Sequence, residues 1–107
     1  MEWAVAVLSK TVAEEIAALP ADMRARLARL IGLIEQFGFS GLPRDSVKHL
    51  DDKLWELRIT GRDGISRAIY VTASGRRVII LRAFVKKTQK TPARELEIAR
   101  QRMKDII

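Results

Sequence analysis

The chain has no cysteine and a single histidine, His49. That excludes disulfides and thiolate metal centres, and leaves nothing from which to build a histidine cage, so no metal and no cofactor is expected. No apolar run approaches the roughly 20 residues of a membrane span. The opening Met1-Glu2-Trp3-Ala4 has neither the basic segment nor the apolar stretch of a signal peptide. The cytoplasm is therefore the expected compartment, with no membrane partner. Proline is scarce, and Pro20, Pro43 and Pro92 fall where an element starts or a loop turns. Aromatics make up only 6% of the chain. Trp3 and Trp55 invite a base-stacking role, but each lies in an apolar, strand-like run, and a core position is the expectation for both.

What the chain does have is a globular balance, 48% hydrophobic and 31% charged over 107 residues. This suits one domain, residues 1–107, with a single core. The net charge is +7, and it is uneven. Residues 1–43 are close to neutral, and residues 44–107 carry all of the excess. Such asymmetry points to a polyanionic partner, nucleic acid above all, although an acidic protein would also satisfy it.

The pattern predicts a short strand over Trp3 to Leu8, then a helix capped by Ser9 and running from about Lys10 to Leu19. Pro20 ends it and opens a second helix, in which Met23, Leu27, Leu30, Ile31, Ile34 and Phe37 recur at helical spacing until Gly38. A turn-rich segment leads to three strand-like runs, about Leu54 to Thr60, Ile65 to Thr72 and Val78 to Phe84. Gly61-Arg62-Asp63-Gly64 and a tight turn at Ser74-Gly75 join them as hairpins. Pro92 to about Ile106 forms a last amphipathic helix, with Thr91 placed to cap it. The order β-α-α-β-β-β-α implies an α+β domain, a curved antiparallel sheet packed against an N-terminal helical hairpin and a C-terminal helix.

Between the last strand and the last helix lies Phe84-Val85-Lys86-Lys87-Thr88-Gln89-Lys90-Thr91-Pro92. Its lysines sit where a sheet edge and a helix start can both face an anion. Register arithmetic gives them company. A loop over Gly61–Gly64 sets Arg58 opposite Arg67, and a two-residue turn at Ser74-Gly75 sets Arg67 opposite Arg82. The period of two then aligns three guanidinium groups on one face, with Lys86 following in the same parity. Like charges placed opposite one another destabilise a sheet, whereas a row of guanidinium groups suits phosphates. Glu56 shares this parity; it is expected to form an ion pair with an arginine, a role as catalytic base being the other reading. His49 lies in the polar run Lys48-His49-Leu50-Asp51-Asp52 and is expected at the surface.

Leu54-Trp55-Glu56-Leu57-Arg58, Ser66-Arg67-Ala68-Ile69-Tyr70 and the Phe84–Pro92 run resemble the RelE/ParE toxin superfamily, most of all its HigB-like, phage-derived branch. The resemblance extends over essentially the whole chain and implies a RelE-like fold. It also implies the toxin of a type II toxin–antitoxin pair, a ribosome-dependent endoribonuclease that cuts messenger RNA. The implied partners are the ribosome with its mRNA and a helix-turn-helix antitoxin of the HigA-like kind. Arg58 and Arg67 match the strand positions that hold the scissile phosphate, and Lys86 and Lys87 match the basic pair beyond the last strand. Tyr70 matches a recurrent aromatic, yet its parity is opposite to that of Arg67, so a core and a site role are both open to it. Arg82 stands where relatives often have histidine, which removes a conventional acid/base. Lys90, Arg62 and Lys48 complete the candidate RNA-binding cations. Cleavage without metal would need a proton acceptor for the ribose 2′-hydroxyl, and a lysine set among arginines, with its pKa depressed, could serve. Two other functions compete: a ParE-like gyrase inhibitor without nuclease activity, and a degenerate basic module that only binds RNA or protein.

Overall fold

Ser9 starts the first helix, as its position predicts, with its hydroxyl accepting from the Val12 N–H at 3.4 Å. Gly38, at φ 75°, ends the second in a conformation that favours glycine. The computed structural model describes residues 2–86 and 90–106. In chain order the elements are β1 (Ala4–Val7), α1 (Lys10–Ala17), α2 (Ala21–Phe37), a 3₁₀ turn (Phe39–Gly41), β2 (Val47–Asp51), β3 (Leu54–Gly61), β4 (Gly64–Ala73), β5 (Arg77–Lys86) and α3 (Ala93–Met103). The five strands form one sheet in the order β1-β5-β4-β3-β2.

Two features depart from the sequence reading. The sheet is mixed, because β1 runs parallel to β5 while the other pairs are antiparallel. There is also an additional strand, β2, paired to β3 with a register shift between His49 and Asp51. Its residues, Val-Lys-His-Leu-Asp, are charged and short of β-formers, a composition suited to a sheet edge. Pairing with β3, rather than local propensity, makes them a strand.

Both faces of the central strands are covered. On one, Leu57, Ile59, Ala68, Tyr70, Val78 and Ile80 pack against Val12 of α1 and Met23, Leu27, Leu30 and Ile34 of α2. On the other, Leu54, Ile69, Val71, Ile79, Leu81 and Phe84 meet Ala99, Leu96 and Met103 of α3. Burial on two faces explains why β4 and β5 read as nearly continuous apolar runs.

The start of α2 rests on the β3–β4 turn. The Asp22 carboxylate accepts from the Arg62 backbone N–H at 2.7 Å, and a Cβ at Gly61 would lie 2.6 Å from Met23 Cγ. At the other hairpin, Ala73 pairs with Arg77, so the turn has three residues, Ser74-Gly75-Arg76, rather than two. Gly75 and Arg76 both take positive φ, 80° and 57°. A second one-residue shift follows between Ile69 and Tyr70. Together these displacements decide what faces Arg67.

Candidate functional site

Three rungs of the sheet, on the α3 side, carry the polar cluster. Lys48 on β2 lies opposite Glu56 on β3. Arg58 lies opposite Arg67, as the register arithmetic predicts, although Gly61 also pairs with Gly64, so that the turn has two residues, Arg62-Asp63, rather than four. Ile65 lies opposite Lys86.

The arginine row stops at two. Arg67 faces Phe84, and Arg82 faces Ile69. The two shifts run in the same sense, so Arg82 keeps its face but moves two residues along the strand. There it enters a different network, with Nη1 donating to Glu15 Oε2 at 2.6 Å and Nε donating to Glu95 Oε1 at 3.0 Å. Tyr70 also lies away from the cluster, on the α1/α2 face. It is 2% exposed and stacks on Phe39 with ring centroids 5.6 Å apart. Burial pushes its phenol well above the ordinary value, and its role is in the core.

Arg67 and Glu56 are both fully buried and form an ion pair. The expectation that Glu56 neutralises an arginine therefore holds, but the partner is the diagonal neighbour on β4. Mutual satisfaction is what makes two charges tolerable out of water. The second Glu56 oxygen, Oε1, accepts from the Thr91 hydroxyl at 2.7 Å, and that hydroxyl accepts from Lys86 Nζ at 3.5 Å. Thr91 is thus committed to the sheet and does not cap α3, whose N-cap is Pro92.

Burial draws the Lys86 pKa below its ordinary value, and the positive charge of Arg67 adds to the fall while Glu56 opposes it. Burial likewise lowers that of Arg67, against the pull of Glu56. A guanidinium nevertheless stays charged at any physiological pH.

Arg58 differs from its neighbour. It is half-buried, and among the described residues no carboxylate pairs with it. It opens into a cleft of about 270 Å³ lined by Arg26, Arg44, Leu30, Pro43 and Ile65 as well. The turn that carries Arg44 is closed by the Ser46 N–H donating to Pro43 O at 3.3 Å, with Asp45 at φ 64°. It is fixed to β3 by the Arg58 N–H, which donates to Ser46 O at 2.8 Å.

Of the remaining candidates, Lys48 borders the cluster, across the strands from Glu56. Lys48 is exposed on the edge strand, Arg62 is exposed at the β3–β4 turn, and Lys90 is exposed just before α3. Lys87 lies outside the described residues. His49 is at the surface, with Nε2 2.8 Å from the Asp52 carbonyl oxygen. Trp3 packs edge-on against Phe39, in line with a core position. Trp55 does not follow that expectation. It is 37% exposed and, with Trp3, Phe39 and Tyr70, walls a shallow apolar hollow of about 340 Å³. Among the described residues no group of three or more metal-ligating side chains comes together.

Sequence reasoning missed Thr91 as a partner of Glu56, and Arg26 and Arg44 as neighbours of Arg58. Arg26 reads as one of several arginines on the polar side of α2, and Arg44 as a loop cation. Only the folded positions of α2 and the Pro43–Ser46 turn bring them together.

The family model described as "Phage derived protein Gp49-like" matches residues 14–104. Among solved structures, the chain is similar to one in the crystal structure of the archaeal RelE–RelB complex from Pyrococcus horikoshii OT3. The TM-score is 0.56 and the identity 23%, over 79% of this chain and 96% of that one. At that identity the likeness establishes the fold, an α+β arrangement similar to that of the archaeal structure. No curated protein matches the chain.

Proposed function

We propose that this chain, which belongs to the phage-derived Gp49-like family, is the toxin of a type II toxin–antitoxin pair and acts as a HigB-like endoribonuclease on messenger RNA at the ribosome. The observation that carries the reading is Arg58, a guanidinium without a carboxylate partner among the described residues, set opposite a second arginine. Folding alone gains nothing from that placement. A phosphate bound at Arg58 would turn the repulsion into attraction, and a guanidinium holds phosphate bidentately.

In this reading Arg58 grips the scissile phosphate, and Arg67, held by Glu56, is a positioning residue behind it. Lys86 is the proton acceptor, since its lowered pKa raises the fraction of neutral amine. The ribose 2′-oxygen gives its proton to Lys86 Nζ and attacks the adjacent phosphorus. The bond from phosphorus to the 5′-oxygen breaks, leaving a cyclic phosphate, and the departing 5′-oxygen takes a proton from solvent. No step requires a metal. The antitoxin is read as a helix-turn-helix protein that covers the basic surface, and the cytoplasm, where ribosomes translate, is the site of action.

The test is Arg58→Ala. Growth arrest on induction should disappear, with the cleavage rate falling about 10²–10³-fold as for loss of one charge-stabilising donor. The melting temperature should hold or rise, because a like-charge repulsion is removed. A folded variant that still arrests growth in full overturns the reading. Mapping RNA ends after induction of the wild type separates it from gyrase inhibition, which predicts DNA damage with intact messages.

A further inference from the structure

The cleft beside Arg58 has a composition that the proposed chemistry does not use. Arg26 comes from α2, Arg44 from the Pro43–Ser46 turn and Arg58 from β3, three separate elements aimed at one space of about 270 Å³. Among the described residues none of the three has a carboxylate ion-pair partner. Asp45 is the single acidic residue in the lining. Three like charges at one cleft repel one another, and nothing in the packing requires them, because the side chains of Arg26 and Arg44 are exposed. Leu30, Pro43 and Ile65 add an apolar part to the wall, and Ser46 and Thr60 complete it. A surface that combines convergent cations with an apolar wall matches a nucleotide, whose phosphate and sugar–base portions differ in the same way.

We propose that this cleft is a second RNA subsite, which takes the nucleotide next to the scissile phosphate. Arg26 and Arg44 hold its phosphate, and the Leu30, Pro43 and Ile65 wall receives its sugar and base. Arg58 is shared by the two subsites, so the single strand runs from Lys86 across Arg58 toward α2. The inference rests on reading the Arg58 surface as an RNA site. It adds a direction for the strand, and it assigns a role in binding to the N-terminal helical hairpin, outside the strongly basic part of the sequence.

The experiment compares Arg26→Ala/Arg44→Ala with Arg24→Ala/Arg29→Ala. The second pair removes the same charge from exposed positions of α2 that do not line the cleft. The probe is a short fluorescein-labelled oligouridylate, methylated on its 2′-oxygens so that it binds without reacting, and the readout is fluorescence anisotropy at several salt concentrations. Both double variants should melt like the wild type. The cleft variant should bind about tenfold more weakly, with a salt slope lower by about 0.7 for each phosphate that is no longer neutralised. The control should stay close to the wild type. Equal weakening by the two pairs overturns the subsite, because net charge alone would then explain the loss. So does an unchanged cleft variant, which would leave the cleft to an acidic protein side chain, and so does a wild type that fails to bind at low salt. Growth arrest by the Arg58→Ala variant is scored separately. The subsite can therefore fail while the proposed toxin activity stands, and retained arrest by that variant would sink the activity whatever the anisotropy shows.

Discussion

Arg58 and Arg67 occupy paired positions on neighbouring strands, yet among the described residues only Arg67 of the two forms an ion pair with a carboxylate. Arg67→Ala would leave Glu56 buried without its ion-pair partner, hydrogen-bonded to Thr91 and with the Lys86 ammonium nearby. The expected cost is about 3–5 kcal/mol, read as a large fall in the midpoint of urea unfolding. Replacing both members, as in Arg67→Met with Glu56→Leu, should recover most of it. An Arg67→Ala protein that unfolds at the wild-type urea concentration would show that the pair does not hold the structure. Loss of toxicity in that variant would therefore say little about chemistry, and Arg58 is the informative target. Strand parity made the Glu56–arginine pairing legible in the sequence. Its complete burial was not legible, because that depends on Thr91 and Lys86 arriving from the far end of β5 and beyond it.

The elements are joined at one point by Glu15. β1 covers β5 only as far as Val7, which pairs with Ile80, so the Ala83 N–H faces outward past the end of β1. Glu15 of α1 accepts it at 3.2 Å. Arg82 of β5 and Arg102 of α3 both donate to the same carboxylate, and Arg102 also donates to Leu81 O at 2.8 Å. Burial alone would raise the Glu15 pKa, but hydrogen bonds from Arg102, the Ala83 backbone and Arg82 outweigh it, and the net shift is downward. A folded pKa below the unfolded one gives stability that is fully present above the ordinary value of 4.5. That stability is lost as pH falls through the folded value. Glu15→Gln should therefore cost about 1–3 kcal/mol near neutrality and flatten the acid limb of a plot of stability against pH. Parallel acid limbs in wild type and variant would rule this out. Apolar spacing made α1 and its Ser9 cap legible, whereas nothing local marked Glu15 as different from Glu14.

For the molecule as a whole, the two hydrophobic clusters lie on opposite faces of the same three central strands. Neither can lose its sheet without exposing the other, so unfolding should be a single cooperative transition. Both tryptophans report on the α1/α2 side. Their fluorescence should change at the same urea concentration as far-ultraviolet circular dichroism, which follows all three helices. Separate midpoints would mean that α3 and its cluster unfold independently.

Helix positions, their caps at Ser9 and Gly38, the hairpin at Gly61–Gly64 and the meeting of Arg58 with Arg67 were determined by the sequence alone. Each depends on residues close together in the chain, where periodicity, φ preferences and turn length act directly. The tertiary structure decided the rest. It placed β1 parallel to β5, made an edge strand of a polar segment, and gave Thr91 to Glu56 rather than to a helix start. An extra residue in the Ser74–Arg76 turn and a one-residue shift farther along the β4–β5 pair sent Arg82 to Glu15 and Glu95 instead of to Arg67. These outcomes turn on which distant groups satisfy a buried charge or an open strand edge, and that is set only when the whole chain packs at once.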